Sequence, residues 1–264
     1  MIFLIEKLLL ILFYILILFS WLSPNHYMPW VTSHHDFSIF MALFFLGLYL
    51  VPKKNNLEIP KNFIFLVGLS ALPLFLWLLR GNVFFGEALV SSIYIAGFAF
   101  AFFIAFNLAK ESEKIKFETY KILSYLILLA CIVSVGIQLS QWLMLKTGSV
   151  FIIDLIPGGR PYANFAQPNN FATFLCLGLM ASLYLYEKKY INGICGSFLA
   201  IFLLFGLVLT QSRTPWIFSI CFAIWWVWKT YDLTVLFSRK KLLFFIIVYI
   251  VLLIVIPFLS KFLG

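Results

Sequence analysis

A polar, proline-interrupted segment carries the residue types in this chain that are best suited to chemistry. It covers residues 160–174 and reads Arg-Pro-Tyr-Ala-Asn-Phe-Ala-Gln-Pro-Asn-Asn-Phe-Ala-Thr-Phe. An arginine can bind phosphate oxygens with its planar, permanently charged fork, and amide side chains both donate and accept hydrogen bonds. Because 64% of the sequence is hydrophobic and only 11% is charged, this segment is the first place to expect a functional site.

A second polar segment, Gln-Ser-Arg-Thr-Pro at residues 211–215, separates two later apolar stretches. Pro168 suits the first position of a helix that Gln167 or an asparagine caps, and Thr214 followed by Pro215 suits the start of another. Two helix N-termini, each with an arginine nearby in sequence, predict a site for a phosphate or diphosphate. Two alternatives stay open: an arginine beside an apolar stretch often reaches only lipid headgroups, and a glutamine here is more often a cap than a catalytic group.

The elements that must position these segments are membrane helices. The chain has 264 residues, of which 20% are aromatic, a balance far from that of soluble domains. Apolar stretches lie near residues 2–22, 37–51, 62–79, 88–108, 121–145, 171–186, 192–211, 216–228 and 242–260. A backbone in lipid must satisfy its own hydrogen bonds, and no stretch alternates as a barrel strand does. We therefore predict an all-α, polytopic transmembrane bundle of about nine spans that forms one domain over residues 1–264.

The distribution of basic residues predicts the orientation. With a cytoplasmic N-terminus, most lysines and arginines fall in cytoplasmic segments, and the outer segments keep only Arg80, Lys146, Arg160, Arg213 and Lys261. The positive-inside rule then places the C-terminus and both polar segments on the periplasmic side. A basic face beside anionic lipid explains the net charge of +9 without a nucleic-acid partner.

Histidines and cysteines offer weaker candidates. His26, His34, His35 and Asp36 are predicted to share one outer loop and could in principle bind zinc, although a surface role is favoured. His26 lies between two prolines and could serve as a base in the neutral pH range. The four cysteines fall within apolar stretches at spacings that fit no metal site. We therefore expect neither a metal nor a cofactor.

At this point the sequence resembles a known family. Residues 160–174 followed by 209–216 are similar to the paired signature of bacterial O-oligosaccharyltransferases, the pilin glycosylation ligases of the O-antigen ligase and polymerase superfamily. Residues 25–30, 85–89 and 94–98 agree more weakly with the first periplasmic loop and the fourth span of these ligases. The resemblance covers nearly the whole chain in order.

The resemblance implies an inverting, metal-independent transfer of a glycan from a polyprenyl diphosphate carrier to a serine or threonine of pilin or another exported protein. The reaction would take place on the periplasmic side of the bacterial inner membrane. Gln167 matches an essential glutamine of these ligases, and Arg213 matches the arginine expected to hold the diphosphate. The remaining residues predicted to bind the diphosphate or substrate are Arg160, Asn164, Asn169, Asn170, Ser212, Thr214 and His26.

One departure from the family affects the expected activity. Family members usually continue into a large periplasmic loop that carries an essential histidine, followed by further spans, whereas this sequence stops at Gly264. The chain is therefore expected to be an N-terminal portion that is inactive alone. An O-antigen ligase or polymerase acting on lipid-linked glycans is an alternative function. A transporter is a further one, disfavoured because the middles of the spans are almost free of charge.

Overall fold

The structure of the chain, a computed structural model, describes residues 2–24, 32–50, 57–80, 84–110, 113–145, 148–156, 158–229 and 235–263. The helices in these ranges are α1 (Ile2–Leu22), α2 (Ser33–Leu50), α3 (Lys61–Arg80), α4 (Phe85–Ala109), α5 (Glu113–Trp142), α6 (Pro168–Glu187), α7 (Gly193–Leu209), α8 (Thr214–Lys229) and α9 (Arg239–Leu263). Each of the nine predicted apolar stretches coincides with one of them, and the same ranges hold no strand. The all-α prediction is confirmed.

Several of these helices have the length and composition of membrane spans. Within the described ranges, the helices long and apolar enough to cross a bilayer are Leu4–Leu22, Lys61–Arg80, Phe85–Ala109, Ile115–Trp142 and Arg239–Leu259. Gly193–Leu209 is apolar but shorter. Large apolar side chains also face outward along these helices, as expected for contact with lipid. The chain is a membrane protein, while nine crossings and the orientation stay predictions.

Two helices, α2 and α5, begin a full turn or more earlier than their apolar stretches predict. The connector before residue 121 forms the first turns of α5, because its glutamates and lysines favour a helix and the Thr119 hydroxyl donates to the Ile115 carbonyl at 2.9 Å. Similarly, His34, His35 and Asp36 lie in the first turn of α2 rather than in a loop. The predicted outer loop is therefore shorter than the sequence indicated.

The chain divides into two compact units, of which the first comprises Met1–Ile17 and Asp36–Thr119. In this unit α3 and α4 pack along each other, with the rings of Phe63 and Phe103 5.1 Å apart. Asn107, 1% exposed, donates to the Glu58 carbonyl at 3.0 Å. It also accepts from the Glu58 backbone N–H at 3.2 Å. This unit holds none of the described residues predicted to form the site.

The second unit comprises Leu18–His35 and Tyr120–Gly264 and contains both polar segments. Its core is built mainly from α5, α6 and α7, with a contribution from α9. The most completely buried core side chains include Cys131, Val135, Phe171, Leu175, Leu185 and Leu203. Both polar segments adjoin this core where α6 and α8 begin, so the core fixes their positions.

Glycines allow the helices of this unit to approach closely. A methyl group added at Gly178 of α6 would lie 2.6 Å from the Cys131 sulfur of α5. One added at Gly206 of α7 would lie 2.7 Å from a methyl carbon of Val135. Both distances are well below van der Waals contact, so these positions need glycine for space. Small residues at such contacts are typical of packed membrane helices.

Replacing Gly206 by alanine should destabilise the protein by about 1–3 kcal/mol, because Val135 is β-branched and cannot rotate away freely. Gly136→Ala is the matched control, since a methyl group added there would have no atom within 4 Å and alanine favours a helix by about 0.5–1 kcal/mol over glycine. Thermal unfolding in detergent micelles measures both variants. A Tm for Gly206→Ala equal to or above that of Gly136→Ala would contradict the packing described here.

The C-terminal residue of α6, Glu187, binds the segment that precedes α9. The carboxylate of Glu187 accepts from the backbone N–H groups of Leu236 at 3.1 Å and Phe237 at 2.6 Å. The indole N–H of Trp226 donates to the Phe237 carbonyl at 3.0 Å. The last residue of α6 therefore holds the chain just before α9 begins.

Candidate active site

A buried glutamine near the end of α5 holds the polar segment in place. Gln141 is 3% exposed, and its amide nitrogen donates to the carbonyls of Ile153 and Ala163, both at 2.9 Å. Its amide oxygen accepts from the N–H groups of Tyr162 at 3.1 Å and Ala163 at 2.8 Å. Both donors and both lone pairs of the amide are thus used. Ala163 has a φ of 52°, and its two hydrogen bonds stabilise that left-handed conformation.

Asn164 supports the segment from inside the unit. It is 1% exposed, and its amide nitrogen donates to the carbonyls of Leu22 at 2.8 Å and Phe151 at 2.9 Å. Its buried amide oxygen has no hydrogen-bond partner among the described residues. Asn164 therefore joins two distant segments, and its role in substrate binding stays a prediction.

A tight turn directly precedes Gln167. The Gln167 backbone N–H donates to the Phe165 carbonyl at 2.7 Å, and the intervening Ala166 has a φ of 64°. A bond between residues i and i+2 around a positive φ defines the rare, strained form of the γ-turn. The Phe165 ring lies 5.3 Å from that of Phe171 and 4.8 Å from that of Phe174. This aromatic packing offsets the strain of the turn.

Gln167 occupies the N-cap position of α6, and Pro168 is the first helical residue, as predicted. The Gln167 side chain makes no capping hydrogen bond. It is exposed and donates instead to the Asn170 side-chain oxygen at 3.3 Å. The Gln167 backbone therefore forms the N-cap of α6, while its carboxamide faces outward beside the Asn170 side chain.

The second polar segment is a compact turn that leads into α8. Gln211 has a φ of 49°, and the hydroxyl of the buried Thr210 accepts from the Ser212 N–H at 3.2 Å. The Ser212 hydroxyl accepts from the Thr214 N–H, also at 3.2 Å. Thr214 was predicted to cap α8, whereas the helix begins at Thr214 itself and Ser212 supplies the oxygen. The residue that supplies the oxygen thus lies two residues before the predicted capping residue.

Two hydrogen bonds join the segments, which the sequence alone could not establish. The Ser212 hydroxyl donates to the Asn169 side-chain oxygen at 2.8 Å, and an Arg160 guanidinium nitrogen donates to the Gln211 carbonyl at 3.2 Å. Arg213 follows Ser212 and is exposed. Within the described ranges, its side chain has neither a hydrogen bond nor an ion pair. The starts of α6 and α8 therefore meet, with two arginines beside them.

This arrangement is suited to binding a multiply charged anion. Two guanidinium groups can offer forked donors to phosphate oxygens, and the two helix N-termini add partial positive charge. At the start of α8 the N–H groups of Thr214 and Trp216 are already bonded to the Ser212 hydroxyl and the Arg213 carbonyl, so the Arg213 side chain supplies the donors there. Asn169 and Asn170 are exposed in the first turn of α6, and Thr214 is half-buried at the start of α8. His26 lies outside the residues that the structure describes.

Sequence reasoning missed two supporting side chains, Gln141 and Thr210. For Gln141 there was a signal, the pair of amides in Gln138-Leu-Ser-Gln141 within an apolar stretch, since a buried amide must find hydrogen-bond partners. Gln138, 0% exposed, donates to the Gly206 carbonyl at 3.0 Å. A search for polar residues within the spans would have identified both glutamines.

Fold and site together define a helical membrane protein with a cationic, amide-rich surface where α6 and α8 begin. Residues 161–186 match the family model described as "Protein glycosylation ligase". The general O-oligosaccharyltransferase of Acinetobacter baylyi (strain ADP1) is 36% identical over 224 residues, which cover 85% of this chain and 39% of that protein. The ComP-specific O-oligosaccharyltransferase of the same strain is 25% identical over 224 residues, covering 74% of this chain and 40% of that protein. No solved structure matches the chain significantly.

The resemblance found in the sequence is confirmed: the chain is similar to O-oligosaccharyltransferases over most of its length. It spans about two fifths of the length of the curated relatives it matches. The family-model match includes Gln167, Asn169 and Asn170 and stops before Arg213.

Proposed function

We propose that this chain takes part in transferring an oligosaccharide from a polyprenyl diphosphate carrier to a serine or threonine of a protein acceptor. Pilin or another exported protein is the proposed acceptor. The site would face the periplasm from the bacterial inner membrane, with the N-terminus in the cytoplasm and the nine helices crossing the bilayer. The positive-inside distribution of lysine and arginine supports this orientation.

The observation that carries the proposal is the contact between the starts of α6 and α8. The Ser212 to Asn169 and Arg160 to Gln211 hydrogen bonds bring both arginine-bearing segments to one surface. A diphosphate leaving group develops negative charge as the bond to the sugar breaks. Preorganised donors aimed at that charge stabilise the transition state more than the ground state.

The residues have three roles in this proposal. Arg213, with no side-chain partner among the described residues, holds the diphosphate, and Arg160 lies beside it. Ser212, Thr214 and the first-turn asparagines position these groups and add donors. Gln167 is the proposed catalytic amide: its nitrogen can donate to a glycan or phosphate oxygen while its oxygen accepts from the acceptor hydroxyl. A neutral amide is no base, so Gln167 orients that hydroxyl rather than deprotonating it, and the hydroxyl proton passes to water as the new bond to the sugar forms and the diphosphate leaves.

A Gln167→Ala substitution should lower glycan transfer about a hundredfold, the usual cost of removing one transition-state donor. The test protein is a chimera in which this chain replaces the matching part of the A. baylyi general O-oligosaccharyltransferase. The chimera is expressed in a strain lacking that enzyme, and the rate is read from the mass shift of the acceptor protein. A parallel strain expressing the 264-residue chain alone tests the expectation that it is inactive alone.

Gln211→Ala is the matched control, because Gln211 is also exposed and contributes only its backbone carbonyl to the Arg160 contact. Transfer by this variant should stay within about twofold of the unsubstituted chimera. Immunoblots of the membrane fraction confirm equal insertion of all versions. Normal transfer by Gln167→Ala, or equal losses in both variants, would reject the role proposed for Gln167.

A further inference from the structure

The second unit contains a large apolar cavity that runs from near the start of α8 toward the start of α9. Its volume is about 1000 Å³, and residues of α6, α7, α8 and α9 line it. Aliphatic and aromatic side chains such as Leu183, Phe222, Phe245 and Ile246 form most of its wall. Its volume lies at the upper end of the range for small-molecule sites. A cavity with such a wall suits hydrocarbon chains.

The charged side chain that lines this cavity lies at one end, whereas the hydroxyl-bearing Ser182 and Ser219 line it farther along the wall. Tyr186 and Asn192 line it at the end of α6 and before α7, together with Lys241 from the first turn of α9. The Lys241 ammonium group donates to the Tyr186 hydroxyl and to the Leu236 carbonyl, the latter at 2.7 Å, and lies 4.8 Å above the Tyr186 ring. Toward its other end the cavity is lined by Trp216 and Tyr249, whose rings are 5.8 Å apart.

The charge at the polar end is positive. Arg239, Lys240 and Lys241 are consecutive at the start of the 25-residue helix α9, whose N-terminus adds partial positive charge. Lys241 forms no salt bridge within the described ranges, and both of its hydrogen bonds go to neutral groups. The nearby Glu187 carboxylate is already occupied by two backbone N–H groups.

We propose that this cavity binds an anionic diacyl phospholipid, with its phosphate at Lys241 and its acyl chains among α6, α7, α8 and α9. The apolar volume and the net positive charge at one end match the two parts of such a lipid. Bound there, the lipid fills the space between α8 and α9 and stabilises the connection that Glu187 holds. The site goes beyond the proposed transfer function, since it does not require a glycan donor.

The position of Lys241 separates this site from the proposed diphosphate site. Asn169 lies in the first turn of α6. Glu187 is the last residue of α6, and it binds the backbone of Phe237, four residues before Lys241. A helix of 20 residues is about 30 Å long. A carrier whose diphosphate lay at Arg213 would therefore place its charge at the opposite end from Lys241.

The test uses the purified 264-residue chain in a neutral detergent. Native mass spectrometry counts bound phosphatidylglycerol and phosphatidylcholine, and thermal unfolding follows their effect on Tm. One phosphatidylglycerol is expected to be retained and to raise Tm, with phosphatidylcholine bound more weakly. Lys241→Gln should weaken phosphatidylglycerol binding about tenfold, the effect of losing one charge-assisted contact. Lys240→Gln, the adjacent residue that does not line the cavity, should change binding less than about twofold.

A second variant separates loss of the site from loss of the fold. Ala223→Phe fills the cavity wall at α8, so it should abolish lipid retention while the lipid-free Tm stays equal or rises. Equal retention of the two lipids, or equal effects of Lys241→Gln and Lys240→Gln, would overturn the proposal. Stoichiometric displacement of phosphatidylglycerol by polyprenyl phosphate would overturn it as well, since the cavity would then belong to the carrier.

Discussion

Replacing Arg213 by alanine should lower glycan transfer by the chimera about a thousandfold, the largest loss expected for any residue of the site. Arg213 is exposed at the start of α8, and its side chain has no partner within the described ranges, so its donors are available to the carrier diphosphate. Arginines that stabilise phosphoryl charge contribute factors of about this size. The rate of acceptor glycosylation in membranes, at saturating donor, measures the effect.

Further arginine variants distinguish the planar shape of the guanidinium group from its positive charge. Arg213→Lys keeps the charge but loses the planar fork, so it should recover only part of the rate. Arg160→Ala should cost less than Arg213→Ala, because Arg160 already donates to the Gln211 carbonyl. Arg239→Ala, at the far end of the second unit, is the control and should leave transfer unchanged. Equal rates for Arg213→Ala and Arg239→Ala would remove Arg213 from the proposed mechanism.

Replacing Gln141 by leucine should destabilise the protein by about 4 kcal/mol, because the substitution keeps a similar volume but removes four hydrogen bonds. The N–H and carbonyl of Ala163 are left unpaired at a residue that is 0% exposed, at about 1–3 kcal/mol for each group. Chemical unfolding in micelles gives the free energy. Hydrogen exchange of residues 160–167 should accelerate before that of α6.

Gln138→Leu is the matched control on the same helix. Gln138 is also buried, but it makes one hydrogen bond, and its amide oxygen has no partner in the structure's described ranges. Losing one bond while removing an unpaired oxygen should cost under about 1 kcal/mol. If the two leucine variants unfold at the same denaturant concentration, Gln141 does not hold the site segment as described.

The positions of the helices could be predicted because they depend on local sequence. A long apolar stretch has few options in lipid besides a helix, and Pro168 marks the start of α6 by its own geometry. Thr214 shows the limit of this reasoning. Its neighbour Ser212, two residues earlier, supplies the accepting oxygen, because backbone dihedral angles at the turn decide which hydroxyl reaches the free N–H.

The contacts that assemble the site could not be predicted because they join distant residues. Ser212 and Asn169 are 43 positions apart, and Asn164 reaches Leu22 across 142 positions. No local pattern encodes such a pairing, since it depends on how whole helices pack. Asn164 illustrates the consequence, because nothing in its local sequence indicated that its side chain would be buried and would join two distant segments.

The hydrogen bond between Ser212 and Asn169 also bears on the order of events in the proposed transferase. Gln167 lies two residues before Asn169, and Arg213 follows Ser212 directly. The hydrogen bond therefore links the residues proposed to meet the donor with those proposed to meet the acceptor. If binding of the donor raised the affinity for the acceptor, this link would be a route for positive cooperativity between the two substrates.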